Sequence, residues 1–117
     1  MIGRRPMAPI HLAVEPVDMR KSFDGLSVAV VEALGRDPLT GELFVFRNRA
    51  GDRLKALCWD GQGFVILYKR LERGRFVVPG AGERSVPLTA GQWQALFEGA
   101  DWRAIRPAPA CNAKAVT

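Results

Sequence analysis

The residues with the clearest chemical potential are basic side chains concentrated in the middle of the chain. Between positions 47 and 75 there are eight lysines and arginines and three acids, whereas the rest of the chain holds nine of each. This segment therefore carries the whole net charge of +5. Concentrated positive charge favours a polyanionic partner, most often nucleic acid, although a solvated basic surface can also serve solubility alone. The candidate phosphate-binding residues are Arg47, Arg49, Arg53, Lys55, Lys69, Arg70, Arg73 and Arg75.

The densest part of this segment is the run from Lys69 to Arg75, which holds four cations in seven positions. Flexible cations near the end of a strand are suited to contacting phosphates. The structural alternative is a solvated hairpin bend in which Glu72 pairs with a neighbouring cation. We favour the phosphate interpretation, because this density of positive charge exceeds what solubility requires.

Residues suited to catalysis or metal binding are few. His11 is the only histidine, and Cys58 and Cys111 are the only cysteines and are far apart in sequence. This pattern does not match a zinc site, a disulfide framework or a nucleophile with a neighbouring base. The sequence therefore predicts no catalytic residue, no metal and no cofactor. The remaining alternative, a metal-dependent nuclease, would draw its ligands from Asp18, Asp24, Asp52 and Asp60.

A single small α+β domain is expected to position these residues, because 117 residues provide for one hydrophobic core. We expect an antiparallel β-meander of four to five strands with two helices. Thr89 and Gln92 have the spacing of a capping box, so the second helix should begin there and run to about Glu98. The predicted strands are 10–14, 43–47, 52–59, 64–70, 75–78 and a short edge strand at 85–88, and the first helix is 18–34.

The ends of the chain are predicted to lie outside the folded domain. We expect a flexible N-terminus over 1–9, a folded domain over 10–103 and a disordered Ala/Pro-rich tail over 104–117. The N-terminus has no apolar segment typical of a signal peptide, and no apolar run approaches 18 residues. We therefore expect a cytoplasmic protein with no membrane contact.

The faces of the predicted meander separate two kinds of side chain. With four-residue loops, Arg47 would lie opposite Asp52, and Trp59 opposite Phe64, and side chains alternate between faces. One face is then aliphatic and the other mixes rings with cations, as in sheets that stack on bases and neutralise phosphates. Alternatively, the same rings form core with cations at its rim. The candidate stacking residues are Phe44, Phe46, Trp59 and Tyr68.

Several sequence stretches resemble a known family. The most specific is the run Tyr-Lys-Arg-Leu-Glu-Arg-Gly-Arg-Phe at 68–76, and others are 18–21, 23–26, 43–49, 51–55, 59–61, 63–64, Pro79 and 101–102. Over residues 10–103 the chain resembles the small accessory proteins, called TnpB, of the insertion-sequence-66 family of bacterial transposable elements. It departs from the family pattern at Ser22, where glycine is usual, and at Cys58, where a second tryptophan is frequent.

The resemblance implies a role in transposition beside a separate transposase that carries the catalytic acids. It implies no active site in the small protein itself. We therefore expect a non-catalytic accessory protein that binds element ends or exposed DNA strands, with no small-molecule substrate. The alternative is a protein adaptor that binds the transposase or another element-encoded protein without touching DNA, using aromatic and arginine side chains as anchors.

Overall fold

The computed structural model describes residues 8–80 and 82–105. They form five strands, two α-helices and a short 3₁₀ turn. In chain order these are β1 (Ile10–Ala13), α1 (Phe23–Glu32), β2 (Leu43–Arg47), β3 (Arg53–Trp59), β4 (Phe64–Arg70), β5 (Ser85–Leu88), α2 (Ala90–Phe97) and the 3₁₀ turn (Trp102–Ala104). Within the described ranges, neither helix has the length and apolar character needed to cross a membrane.

The strands form one sheet in the order β4-β3-β2-β1-β5. Strands β2, β3 and β4 are the expected antiparallel meander. β1 lies parallel to β2, because α1 connects them as a crossover, and β5 pairs antiparallel with the free side of β1. The predicted α+β class is confirmed, with one parallel pair added to the expected antiparallel arrangement.

Both faces of the sheet are covered. The aliphatic face packs against α2 and the 3₁₀ turn through a core that includes Val45, Leu54, Leu96 and Trp102. The other face packs against α1, which buries Phe44, Phe46 and Leu57 under Leu26 and Val30. The sheet is therefore the middle layer of three, and the alternation of side chains along each strand assigns every residue to one of two cores.

The helices differ in how well their starts were predicted. Thr89 and Gln92 form the expected capping box, in which each side chain binds the other residue's backbone N–H, so α2 begins at Ala90 as expected. The prediction for α1 was wrong at its start. Asp18 accepts hydrogen bonds from the backbone and guanidinium of Arg20 in a turn, and the helix begins only at Phe23.

The strand register was predicted correctly for one hairpin and incorrectly for the other. Trp59 lies opposite Phe64 as expected. Arg47, however, lies opposite Leu54 rather than Asp52. The loop starts one residue later because the Asn48 N–H still donates to the carbonyl of Arg53 in the ladder. This moves the register by two residues, so every side chain keeps its predicted face.

The predicted strand at 75–78 is absent from the described residues. The Phe76 N–H donates to the carbonyl of Gly51, and the carbonyl of Val77 accepts from the Trp102 indole at 2.8 Å. Because these groups bond to a turn and to a side chain, they cannot join a ladder. The predicted flexible ends at 1–9 and 104–117 lie almost wholly outside the described residues.

Candidate nucleic-acid interface

Two chain segments meet at one end of the sheet and bring arginines together from distant parts of the sequence. They are the β2–β3 turn at 48–52 and the segment 71–76 that follows β4. The Leu71 N–H donates to the carbonyl of Asp52, and the Phe76 N–H to that of Gly51, both at 2.8 Å. We call the arginines of this region the arginine cluster: Arg49, Arg53, Arg70, Arg73 and Arg75.

Asn48 organises the β2–β3 turn. Its Oδ1 accepts from the N–H groups of Gly51 and Arg53 at 2.9 and 3.0 Å, and its Nδ2 donates to Oδ1 of Asp52 at 2.7 Å. Gly51 has φ +82°, a conformation that side chains with a Cβ rarely adopt. Sequence reasoning missed this role of Asn48, although an Asn three residues before Gly is a recognisable turn signal.

Gly51 also provides a surface for Arg75. A Cβ placed on Gly51 would lie 3.6 Å from Cβ of Arg75, so the aliphatic stem of that arginine crosses the turn here. The stem is thus supported by packing while the residue as a whole stays exposed. The contact joins the last arginine of the basic run to the β2–β3 turn.

Arg53 and Arg70 lie directly opposite each other on β3 and β4. Arg53 donates to the hydroxyl of Tyr68 at 2.9 Å, and this hydrogen bond raises the pKa of the Arg53 guanidinium. Arg70 pairs with Glu72 at 3.0 Å. Like charges on directly opposed residues repel each other, and the nearby carboxylates of Asp52 and Glu72 offset part of that repulsion.

The cluster is accessible and has an excess of positive charge. Four of its arginines are exposed and Arg53 is half-buried. The carboxylates among them are Asp52 and Glu72. The hydrogen bond from Asn48 lowers the pKa of Asp52, so this carboxylate stays ionised and directed at the turn. Five arginines against two acids leave a positive surface suited to phosphate contact.

Lys55, one of the predicted phosphate ligands, is instead part of the interior. It is 7% exposed, and its Nζ donates to the carbonyls of Met19 and Lys21, each at 2.7 Å. The same Nζ lies 4.6 Å from the centre of the Tyr68 ring. The ammonium therefore fastens the turn before α1 to the sheet, and we remove Lys55 from the candidate interface.

Lys69 and Arg47 likewise bind backbone carbonyls. Lys69 donates to the carbonyl of Phe97 at 2.5 Å, at the C-terminal end of α2, where a cation is favourable. Arg47 donates to the carbonyl of Val14 at 2.7 Å, which ties β2 to the end of β1. We remove both from the interface because their charged groups bind the fold itself. The count of charges in the sequence could not distinguish such cations from those that face solvent.

The four predicted stacking residues also differ in whether their rings are buried or exposed. Phe44 and Phe46 have no exposed surface, so their predicted role as stacking platforms was wrong; α1 covers them. Trp59 is half-buried and meets Phe64 edge-on, at the other end of β3 from Arg53. Tyr68 is 48% exposed and touches Arg53, so it is the one predicted ring that lies beside the arginine cluster.

Three of the four aspartates of the nuclease alternative bind neighbouring groups of the fold, and the fourth is exposed. Arg20 binds the carboxylate of Asp18 and lowers its pKa to about 2. Asp60 accepts the N–H groups of Gln62 and Gly63 in the β3–β4 turn. Asp24 is exposed on α1, and Asp52 belongs to the turn at Asn48. In residues 8–80 and 82–105, no three acidic, histidine or cysteine side chains gather in a possible metal site.

His11 is buried between β5 and β2. Its ring stacks on Phe44 at 5.5 Å, and Nε2 lies 3.3 Å from Oε1 of Glu42. That approach does not have hydrogen-bond geometry. Burial, followed by the nearby Arg36, lowers the pKa of His11 despite the opposing effect of Glu42. The neighbours that these contacts identify are a ring, a carboxylate and a guanidinium, which fits a packed structural histidine.

Comparison with known proteins gives one family and two relatives. The family model described as IS66 Orf2-like protein matches residues 8–107. A Sinorhizobium fredii protein named y4jC is 36% identical over 109 residues, which is 93% of each chain. A second protein of that organism, y4hO, is 44% identical over 94 residues, covering 80% of this chain and 82% of its own length. No solved structure matches significantly.

Proposed function

The chain belongs to the IS66 Orf2-like family of transposition-associated accessory proteins, and from this premise we propose that it binds the DNA of its element. The contact is made by the arginine cluster, and a separate transposase performs the chemistry. The proposal assigns no catalytic residue to this chain. Binding of DNA would place the small protein at element ends or at strands exposed during transposition.

The observation that carries the proposal is the position of Arg53 opposite Arg70 inside the cluster. A fold that needed only solubility would gain nothing from two guanidinium groups on directly opposed residues, because their repulsion weakens the sheet. A phosphate placed near both would relieve that repulsion and accept hydrogen bonds from each guanidinium. The arrangement is therefore better suited to an anionic partner than to water.

Tyr68 supports a preference for exposed strands. Its ring is half exposed beside the cluster, and its hydroxyl is held by Arg53. An unpaired base can stack on such a ring while the neighbouring arginines neutralise the backbone. Bases in an intact duplex are not available for stacking. We therefore propose that single-stranded DNA is bound at least as tightly as duplex at equal length.

A salt series tests this proposal. The purified full chain is titrated into labelled element-end duplex, scrambled duplex and single strand at several salt concentrations. Contact with about four or five phosphates predicts a log–log slope near −4 for duplex. The double variant Arg73→Ala with Arg75→Ala should bring the slope closer to zero while leaving the fold intact.

The alternative function is the protein adaptor. It predicts that the chain holds the transposase after nuclease treatment and does not bind DNA at low salt. Absence of binding to every probe at low salt, with a folded protein, would reject the DNA proposal. Retention of the transposase in that case would support the adaptor.

A further inference from the structure

The two edges of the sheet are protected very differently. β5, at one edge, has four residues and contains Pro87, which has no N–H to offer. β4, at the other edge, has seven residues and no proline, and it pairs with β3 without a bulge. Its first five residues, 64–68, are uncharged. Proteins usually shorten, kink or charge an edge strand to prevent further pairing, and this part of β4 has none of those features.

The hydrogen bonds at the ends of β4 show which of its backbone groups face outward. Asp60 and Gly63 are a bonded pair before the strand, and Leu71 and Asp52 are one after it. Since bonded and non-bonded pairs alternate, the odd-numbered residues of β4 bond to β3. The even-numbered residues direct their N–H and C=O groups away from it. In the described part of the chain, these outward groups have no backbone partner.

We propose that β4 pairs antiparallel with β4 of a second copy, centred on Leu67, so that one sheet runs through a two-fold symmetric dimer. This register uses all seven residues of each strand. The outward groups of Phe64, Ile66, Tyr68 and Arg70 would exchange about eight backbone hydrogen bonds with their counterparts. The inference goes beyond the proposed DNA binding and does not depend on it.

The charge pattern of β4 favours a second copy as the occupant. In the proposed register Arg70 lies opposite Phe64 of the second copy, and Lys69 lies opposite Val65. Lys69 and Arg70 are the two charged residues of β4 and both lie at its C-terminal end. In the antiparallel register neither of them lies opposite a cation of the second copy. A parallel pairing would align Lys69 and Arg70 with their own counterparts, which is unfavourable, and it would not close on itself.

The pairing also determines where the two copies of α1 would lie. Phe23, Val28 and Val31 on this helix are each about half exposed, at 47%, 50% and 53%. α1 lies over Phe64 and Ile66 of β4. Antiparallel neighbours keep the same face, so the second copy would bring its own α1 to the same side of the joint sheet.

The geometry also positions the two arginine clusters. Each Arg70 is three residues from the centre of the joint strand, so the two Arg70 positions would be separated by about 20 Å. They would lie at opposite ends of the joint strand and on the same face. One long polyanion could then contact both clusters, and its binding would be strengthened by the linkage of the two sites.

A pair of substitutions at Val65 tests the dimer. Val65→Lys places a cation opposite Lys69 of the second copy, and Val65→Glu places an anion there. Both remove the same side chain from the monomer, so their effects on folding should be similar. We expect the wild-type chain to sediment as a dimer, Val65→Lys to weaken dimerisation about tenfold and Val65→Glu to keep or strengthen it.

The measurement is sedimentation equilibrium on nuclease-treated, nucleic-acid-free full chain, with circular dichroism to confirm that each variant is folded. Removal of nucleic acid ensures that DNA does not bridge two copies. A wild-type chain that stays monomeric at about 100 μM would overturn the proposal. Equal dimerisation of the two folded variants would also overturn it, because a pairing at β4 must distinguish their charges.

Discussion

Arg53 and Arg70 lie directly opposite each other on β3 and β4, and each guanidinium group binds a different partner. Arg53 donates to the hydroxyl of Tyr68 at 2.9 Å, whereas Arg70 reaches Glu72 at 3.0 Å. The hydroxyl is neutral, so the charges that offset the repulsion are the carboxylates of Glu72, which is highly exposed, and of Asp52. Salt screens exposed charges of both signs, so the balance of attraction and repulsion at this pair should change with salt concentration.

The first prediction concerns this pair. Replacing Arg53 with Thr, a good strand residue, should raise the midpoint of urea unfolding at low salt, because it removes the repulsion with Arg70. The same change should weaken DNA binding. The gain in stability should shrink as salt is added, since salt screens exposed charges. Urea titrations at low and high salt, with DNA titrations alongside, measure both effects. A change in stability that does not depend on salt would contradict a governing role for charge repulsion in this pair.

The second prediction tests the location of the DNA surface. Arg73→Ala with Arg75→Ala should reduce the magnitude of the log–log salt slope by about 2, because two phosphate contacts are lost. The control is Arg36→Ala with Arg84→Ala. These two exposed arginines lie outside the cluster, and the control removes the same net charge. Equal losses of affinity in the two variants would mean that only net charge matters.

The third prediction separates a structural lysine from the interface. Lys55→Met should lower the free energy of unfolding by about 1 to 3 kcal/mol, because two backbone carbonyls lose their buried donor. DNA affinity of the folded variant should stay unchanged. Lys21→Met removes the same charge from an exposed side chain and should be close to neutral for stability. Urea unfolding and DNA titration of both variants would detect the difference, and a large affinity loss in folded Lys55→Met would contradict it.

The fourth prediction contrasts two rings that the sequence placed on one face. Phe46→Ala should cost about 3 to 5 kcal/mol of stability, because it opens a cavity beneath α1. Tyr68→Ala should leave the fold intact and weaken binding to single-stranded DNA more than to duplex. Thermal unfolding and titration of both probes would measure the contrast. Unchanged single-strand affinity in the Tyr68 variant would remove the proposed stacking role.

The fifth prediction follows from the lowered pKa of His11. The unfolded chain binds a proton near the ordinary pKa of 6.5, whereas the folded chain does so only at lower pH. Stability is therefore complete above 6.5 and is lost as the pH falls from there through the folded pKa. His11→Gln should flatten this loss, as seen by comparing urea midpoints at pH 7.5 and 5.5. Parallel curves for the two proteins would assign the loss to other groups.

Much of the local structure was predictable because it depends on near neighbours. The capping box at Thr89 and the pairing of Trp59 with Phe64 follow from side-chain chemistry within a few residues. The division of the strands into two faces follows from the two-residue repeat of side chains along a strand. The predicted faces stayed correct although the register of one hairpin was wrong by two residues, because an even shift keeps each side chain on its face. The excess of basic residues in the middle segment was likewise predictable, because it can be counted directly from the sequence.

The sequence by itself thus determined the mostly antiparallel sheet, its two faces and the basic segment. Only the tertiary structure decided which cations face solvent and which rings are buried. Lys55 lies among the same predicted candidates as Arg53, yet its ammonium meets carbonyls of a turn more than thirty residues earlier in the chain. α1 covers Phe44 and Phe46 but leaves Tyr68 exposed. The physical reason is that burial and hydrogen bonding at these positions depend on where a distant helix packs, and no local repeat in the chain encodes that placement.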